Sequence, residues 1–266
     1  MILRAIDEPK SEPTQARRPP RPIWEVLEEH QKALSGSAEC WLITQPAHSA
    51  LSGEIAAKLS PSAFGTFDEA TIRAIALHDA GWSGFDSELV RASRADAKGS
   101  KVAISFLSVP PKEAIDAWTG SVETALKASP LGGLLVSEHF RTIAQMQAKG
   151  RPGVEKQMAA FVAQEDARQR KLRPKIRVDD AAMKRMLEGL RFCDLLSLYL
   201  SAGLTEPVTL PQQIQQVSMT AAPAGENTVS LKPSPFAGDE AFSFAALRHP
   251  RTKTVSSASF LYKVIG

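Results

Sequence analysis

The feature that most limits how this chain can fold is a carboxylate placed where a chain puts its core. Between residues 179 and 202 Leu187, Leu190, Asp194 and Leu198 recur at three and four, so one helical face carries both the apolar stripe and the acid. A buried carboxylate without a partner costs several kcal/mol, and it ends up neutralised, paired with a cation or bound to a metal. Asp194 therefore needs a partner from a neighbouring segment. Three histidines repeat the arrangement. His48 lies in line with Leu51, Ile55 and Leu59; Ile72, Ile75 and His78 recur at three, with Asp79 next; and His139 falls among Leu135, Ile143 and Met146. A single inward histidine is ordinarily a hydrogen-bonded core residue. Four inward groups on four helices are also what a divalent transition metal accepts, imidazole nitrogen and carboxylate oxygen converging inside a bundle.

The six helices expected from the spacing run over 46–59, 67–79, 111–127, 131–149, 154–171 and 179–202. Residues 1–5 and 40–44 read as short strands that pair with each other. Between them 7–22 is a solvated, Pro-, Arg- and Glu-rich excursion and 22–34 an amphipathic helix, together a peripheral insertion. Gly81 reads as a left-handed helix cap, and 81–109 as a long loop, either a cover for the site or a passive connector. After Gly203 prolines separate alternating segments such as Thr228–Leu231 and Ala241–Phe244, which read as strands. The expected architecture is mainly α, with a small sheet built from N-terminal strands and a C-terminal strand region. Its parts are 1–44 with the insertion, a helical domain over 45–203, and a β region over 204–266 packed on that domain.

Composition narrows the function classes. At 43% hydrophobic and 23% charged the 266 residues suit a globular chain, and a net charge of +3 is too balanced to point to nucleic acid or an anionic membrane. The longest apolar runs fall short of the ~20 residues of a membrane span, and residues 1–10 have no signal-like apolar stretch, so a cytoplasmic location is expected. Cys40 and Cys193 sit in apolar segments, which leaves His and carboxylate to hold any metal.

His48, the run Ala76-Leu77-His78-Asp79, and Asp194 within Phe192-Cys193-Asp194-Leu195-Leu196 resemble the H…HD…D signature of the HD-domain superfamily of metal-dependent phosphohydrolases. The surrounding text, Leu42-Ile43-Thr44-Gln45-Pro46-Ala47-His48-Ser49, His78-Asp79-Ala80-Gly81-Trp82, Leu135-Val136-Ser137-Glu138-His139 and Pro233-Ser234-Pro235-Phe236, resembles an uncharacterised bacterial branch of that superfamily, a domain of unknown function. The resemblance covers most of the chain. It implies an HD-like helical bundle and a divalent ion, Mn, Fe, Zn, Ni, Co or Mg, at His48, His78, Asp79 and Asp194.

The sequence also departs from better-known members. Three positions after the HD pair, where many of them carry an acid, stands Trp82, so Asp86 is the substitute acid/base candidate beside Asp79. His139 alone occupies the interval in which two-metal members place extra histidines. It reads as an auxiliary metal or phosphate ligand of a one-metal site. Trp82, as a pocket wall, and Lys98 and Lys101, as phosphate-neutralising groups, are candidate substrate contacts; aromatic core and solvated lysines are their plain alternatives. Two classes remain open at this point. One is a metal-dependent phosphohydrolase acting on a small phosphorylated metabolite or nucleotide, with a mixed-valent iron oxygenase as a lesser variant of the same ligand set. The other is a non-catalytic metal-binding sensor or interaction protein.

Overall fold

The computed structural model describes residues 1–6, 19–92, 102–149, 152–250 and 256–266. In chain order the elements are β1 (Ile2–Arg4), β2 (Arg21–Pro22), α1 (Ile23–Leu34), β3 (Cys40–Ile43), α2 (Gln45–Lys58), α3 (Pro61–Phe64), α4 (Glu69–Ala76), α5 (Ser83–Ala92), α6 (Pro111–Ala128), α7 (Pro130–Ala148), α8 (Pro152–Leu172) and α9 (Asp180–Ala202), then β4 (Val208–Ile214), β5 (Val217–Gly225), β6 (Thr228–Lys232), β7 (Glu240–His249) and β8 (Ser257–Ile265). The fold is mainly helical and carries an eight-stranded sheet.

Helix starts follow the local chemistry. Thr44, Asp68, Ser129 and Asp179 each accept a first-turn N–H, from Ala47, Thr71, Gly132 and Ala182, and so begin α2, α4, α7 and α9. α9 ends at Gly203, which adopts the left-handed conformation with φ 67°. From Phe192 to Ala202 every residue of α9 is buried, which requires neighbours on all sides. They are α1, α2, α3, α4, α7, β1 and β4.

The strand order is β1-β3-β7-β8-β6-β5-β4-β2. The N-terminal strands pair antiparallel as expected, Ile2 opposite Ile43, and β3 then pairs with β7. The sheet is thus larger than a small one and takes strands from both ends of the chain, with β2 joining β4 in parallel at one edge. The main core runs from this sheet into the helices, bringing Ile2, Val208, Phe242 and Val264 into one cluster with Leu51, Ile55, Ile75, Leu135 and Leu190. A second cluster, with Trp118 stacked on Phe140 at 5.3 Å and packed with Phe161, joins α6, α7 and α8.

Several sequence expectations are corrected. The helix of the supposed peripheral insertion is part of the core: Ile23, Val26, Leu27 and Gln31 are buried, and the Gln31 amide both accepts from Leu3 N–H and donates to Leu3 C=O. The long loop over 81–109 contains a 3-10 turn at Ala80–Trp82, the ten-residue α5 and a second 3-10 turn at Phe106–Ser108. Its Ser- and Asp-rich composition hides a helical repeat of buried positions at Trp82, Asp86 and Leu89. The second of the six expected helices stops at Ala76, so the HD pair follows the helix rather than ending it. Gly81 is not left-handed, and its role lies in the close packing described below. Among the described residues no helix is long and apolar enough to cross a membrane.

Candidate metal centre

Four elements deliver the polar groups that the stripes point inward. His48 closes the first turn of α2, His78 and Asp79 follow α4, His139 is in the middle of α7, and Asp194 is in the middle of α9. Two glycines allow the approach. A Cβ on Gly53 would lie 2.5 Å from Ala76 Cβ, so only glycine lets α2 lie this close to the end of α4. A Cβ on Gly81 would lie 2.0 Å from Ala117 O and 2.4 Å from Ser121 N, so the turn after the HD pair sits directly on the backbone of α6. The Gly81 N–H donates to Ser121 Oγ at 2.9 Å. Ser49 ties the same turn to α2, donating to Ala76 O at 2.8 Å and accepting from Asp79 N–H at 3.2 Å.

The result is a buried cluster. His48 Nε2 lies 3.1 Å and His78 Nε2 3.4 Å from Asp194 Oδ1, and both imidazole nitrogens lie 3.5 Å from Asp79 Oδ2. His139 Nε2 lies 3.6 Å from Asp194 Oδ2. One ligand atom from each of His48, His78 and Asp194 falls within 4.8 Å of the others. Two ligand atoms each about 2.1 Å from a shared tetrahedral ion stand about 3.4 Å apart, which is the scale of these nitrogen–oxygen separations.

Hydrogen bonding fixes which ring nitrogen faces inward. His78 Nδ1 donates to Ile75 O at 2.8 Å, which leaves Nε2 as the lone-pair nitrogen of the neutral ring. That Nε2 is buried with no hydrogen-bond partner, and it faces two carboxylate oxygens. Two acceptors in such proximity repel each other unless a cation or an added proton lies between them. His48 is held likewise. Its Nδ1 is 2.6 Å from Ser197 Oγ, and that hydroxyl donates to Asp194 O at 2.8 Å and lies 2.7 Å from Ser52 Oγ. With its proton committed to Asp194 O, Ser197 accepts from Nδ1–H and directs the His48 Nε2 lone pair into the cluster.

The electrostatics agree with a site that collects positive charge. Burial opposes protonation of His78, but Asp79 and Asp194 outweigh it and raise the ring to about 9. Burial would also raise Asp194, yet His48 and His78 hold it well below the usual carboxylate range. Asp79 is raised, by burial first, against the pull of His78 and His48. His139 is lowered to about 3, chiefly by burial, with His78, Arg191 and His48 acting in the same direction, and is a neutral imidazole.

The structure therefore brings together His48, His78, Asp79, Asp194 and His139. Asp86 is placed differently from the loop acid that the sequence suggests. It lies on α5, Oδ2 accepts from Gln45 N–H at 2.6 Å, and Oδ1 is 3.3 Å from the α-amine of Met1. Oδ2 is thus engaged in holding the start of α2, while Oδ1, which is buried, has this ion pair and no hydrogen bond. Trp82 is a core side chain packed edge-on against Phe85 at 5.9 Å. Lys98 and Lys101 lie outside the described residues. Sequence reasoning missed Ser49, Ser52 and Ser197. Their signal was available as hydroxyls one to four residues from His48 and three residues after Asp194, positions that share a helical face or turn with those two residues.

No curated protein and no solved structure matches the chain. A family model does match, over residues 35–246, a span that includes His48, His78, Asp79, His139 and Asp194. On that match the chain belongs to the family described as Protein of unknown function (DUF3891).

Proposed function

We propose that the chain is a metal-dependent phosphohydrolase of the HD-domain type, acting on a small phosphorylated metabolite or nucleotide. The observation that carries this reading is His78 Nε2, a buried ring nitrogen with no hydrogen-bond partner, 3.4 and 3.5 Å from two carboxylate oxygens. His48, His78, Asp79 and Asp194 would hold one divalent ion, of the Mn, Fe, Zn, Ni, Co or Mg class. When bound, such an ion supplies Lewis acidity to a phosphoryl oxygen and lowers the pKa of water toward neutrality. Asp79, whose Oδ2 lies 3.5 Å from both His48 Nε2 and His78 Nε2, would orient the attacking water. His139, neutral and beside Asp194, serves as an auxiliary ligand or as a donor to the substrate's phosphate. A cytoplasmic location belongs with this reading.

The test is the metal content of the purified protein, followed by phosphomonoesterase and phosphodiesterase assays with each of those ions. Turnover that depends on the added ion supports the reading. One observation favours the second class, a non-catalytic metal-binding sensor: Asp86, the acid nearest in sequence after the HD pair, already accepts from Gln45 N–H at the start of α2. Stoichiometric metal without turnover on any monoester or diester would select it.

A further inference from the structure

Arg191 stands one helical turn before Asp194 on α9. Its guanidinium reaches across to α7, Nη2 donating to Thr142 Oγ1 at 2.7 Å, while Nη1 donates to Glu188 Oε1 at 3.1 Å. Thr142 is one turn beyond His139 on α7, and its hydroxyl donates to Glu138 O at 2.9 Å. The cation is thus fixed between the turn of α7 next to His139 and the turn of α9 next to Asp194. Adjacent turns are about 5.4 Å apart.

Exposure gives the direction. The side chain of Arg191 is 25% accessible, against 8% for Asp194 and 4% for His139, so of the three it is the one that meets solvent. The two hydrogen bonds set the plane of the guanidinium, and the other three of its five N–H bonds have no partner among the described residues. A planar fork with donors to spare is the side-chain geometry that binds phosphoryl oxygens in pairs. The Glu188 carboxylate 3.1 Å away pairs with this cation, and the N–H donors it does not use are the ones an added anion would take.

We propose that Arg191, held by Thr142 and Glu188, forms an oxyanion subsite beside the metal centre and takes the phosphoryl group of the ligand. This deepens the proposed function and rests on it for the ion, while the subsite is tested separately. A merely structural Arg191 would tie α9 to α7 and bind nothing.

The experiment titrates inorganic phosphate, and in a second arm phenyl phosphate, into the Mn²⁺-loaded protein by calorimetry, with Mn²⁺ affinity measured on the same samples. Arg191→Gln is expected to weaken phosphate binding about tenfold or more, the loss of a charge-assisted hydrogen-bond pair, while Mn²⁺ affinity stays within about threefold. Thr142→Val keeps the charge but removes its holder, and is expected to fall between Arg191→Gln and the wild type. Weakening of both phosphate and phenyl phosphate places the ester's phosphoryl group at Arg191, whereas weakening of free phosphate alone assigns the subsite to the inorganic ion. If the wild type takes up neither Mn²⁺ nor any of the other five ions, the phosphohydrolase reading fails, and the same phosphate comparison on the protein as isolated still decides the subsite. Equal phosphate binding by wild type and Arg191→Gln overturns the proposal, as does a wild type that binds no phosphate at about 10 mM. A variant that lowers the melting temperature without changing phosphate binding would show the structural role alone.

Discussion

Gly81→Ala is the substitution most directly predicted to damage both fold and site. The added methyl would meet Ala117 O at 2.0 Å, Ser121 N at 2.4 Å and Gly120 C at 2.8 Å, whereas ordinary contact begins near 3.4 Å. All three atoms are backbone of α6, so no side chain can swing away, and the turn and the helix must separate by more than an ångström. Overpacking of this kind costs about 1–3 kcal/mol. Separation also lengthens the Gly81 N–H to Ser121 Oγ hydrogen bond, worth about 1 kcal/mol. A loss of about 3 kcal/mol is expected, measured by urea unfolding with metal chelated and compared through midpoints at constant m. Because Asp79 is two residues away, metal affinity should fall as well. Gly120→Ala is the control. Its methyl meets Gly81 Cα at 3.3 Å, a contact that needs only a few tenths of an ångström, and alanine is favoured over glycine within a helix by about 1 kcal/mol, so the two effects should nearly cancel. A Gly81→Ala protein within about 0.5 kcal/mol of wild type would refute the reasoning.

Ser197→Ala removes the acceptor that fixes the His48 ring, and should weaken metal binding about tenfold with little change in secondary structure, read by competitive chelator titration. The Cys40 thiol is pushed up to about 12 by burial. The folded protein should therefore resist iodoacetamide at pH 8–9 and react only after denaturation, followed by mass spectrometry. The same shift fixes a sign: the unfolded thiol loses its proton near pH 9 and the folded one does not, so this contribution to stability is present below pH 9 and declines as pH rises toward 12. An unfolding free energy measured against pH should bend downward there in wild type and less so in Cys40→Ala.

The site was legible because it violates the pattern around it. An acid at Asp194 and imidazoles at His48, His78 and His139 stand on apolar stripes, and helical spacing alone turns them inward. The turn that carries His78 and Asp79 was less legible, because the end of α4 at Ala76 depends on Ser49 and on α6, segments distant in sequence. For the same reason Gly81 reads from sequence as a helix cap, while its requirement is the approach of another backbone. Asp86 looked like a loop acid because α5 is short and polar; only the folded chain places Gln45 N–H beside its carboxylate. The C-terminal strands showed their alternation, but not their partners. Pairing of β3 with β7, and of β6 in parallel with β8, joins segments distant in sequence and has no local signal.

The most direct test of the metal centre compares bound metal in wild type and Asp194→Leu, by elemental analysis and by thermal unfolding with and without chelator. Asp194→Leu removes a buried charge and should fold, because leucine matches the apolar stripe around it. The wild type is expected to hold about one divalent ion per chain and to lose a few kcal/mol of stability on chelation, while the folded Asp194→Leu protein is metal-poor and insensitive to chelator. Full occupancy in Asp194→Leu, or a wild type that binds no divalent ion, would contradict the assignment of His48, His78, Asp79 and Asp194 as a metal centre.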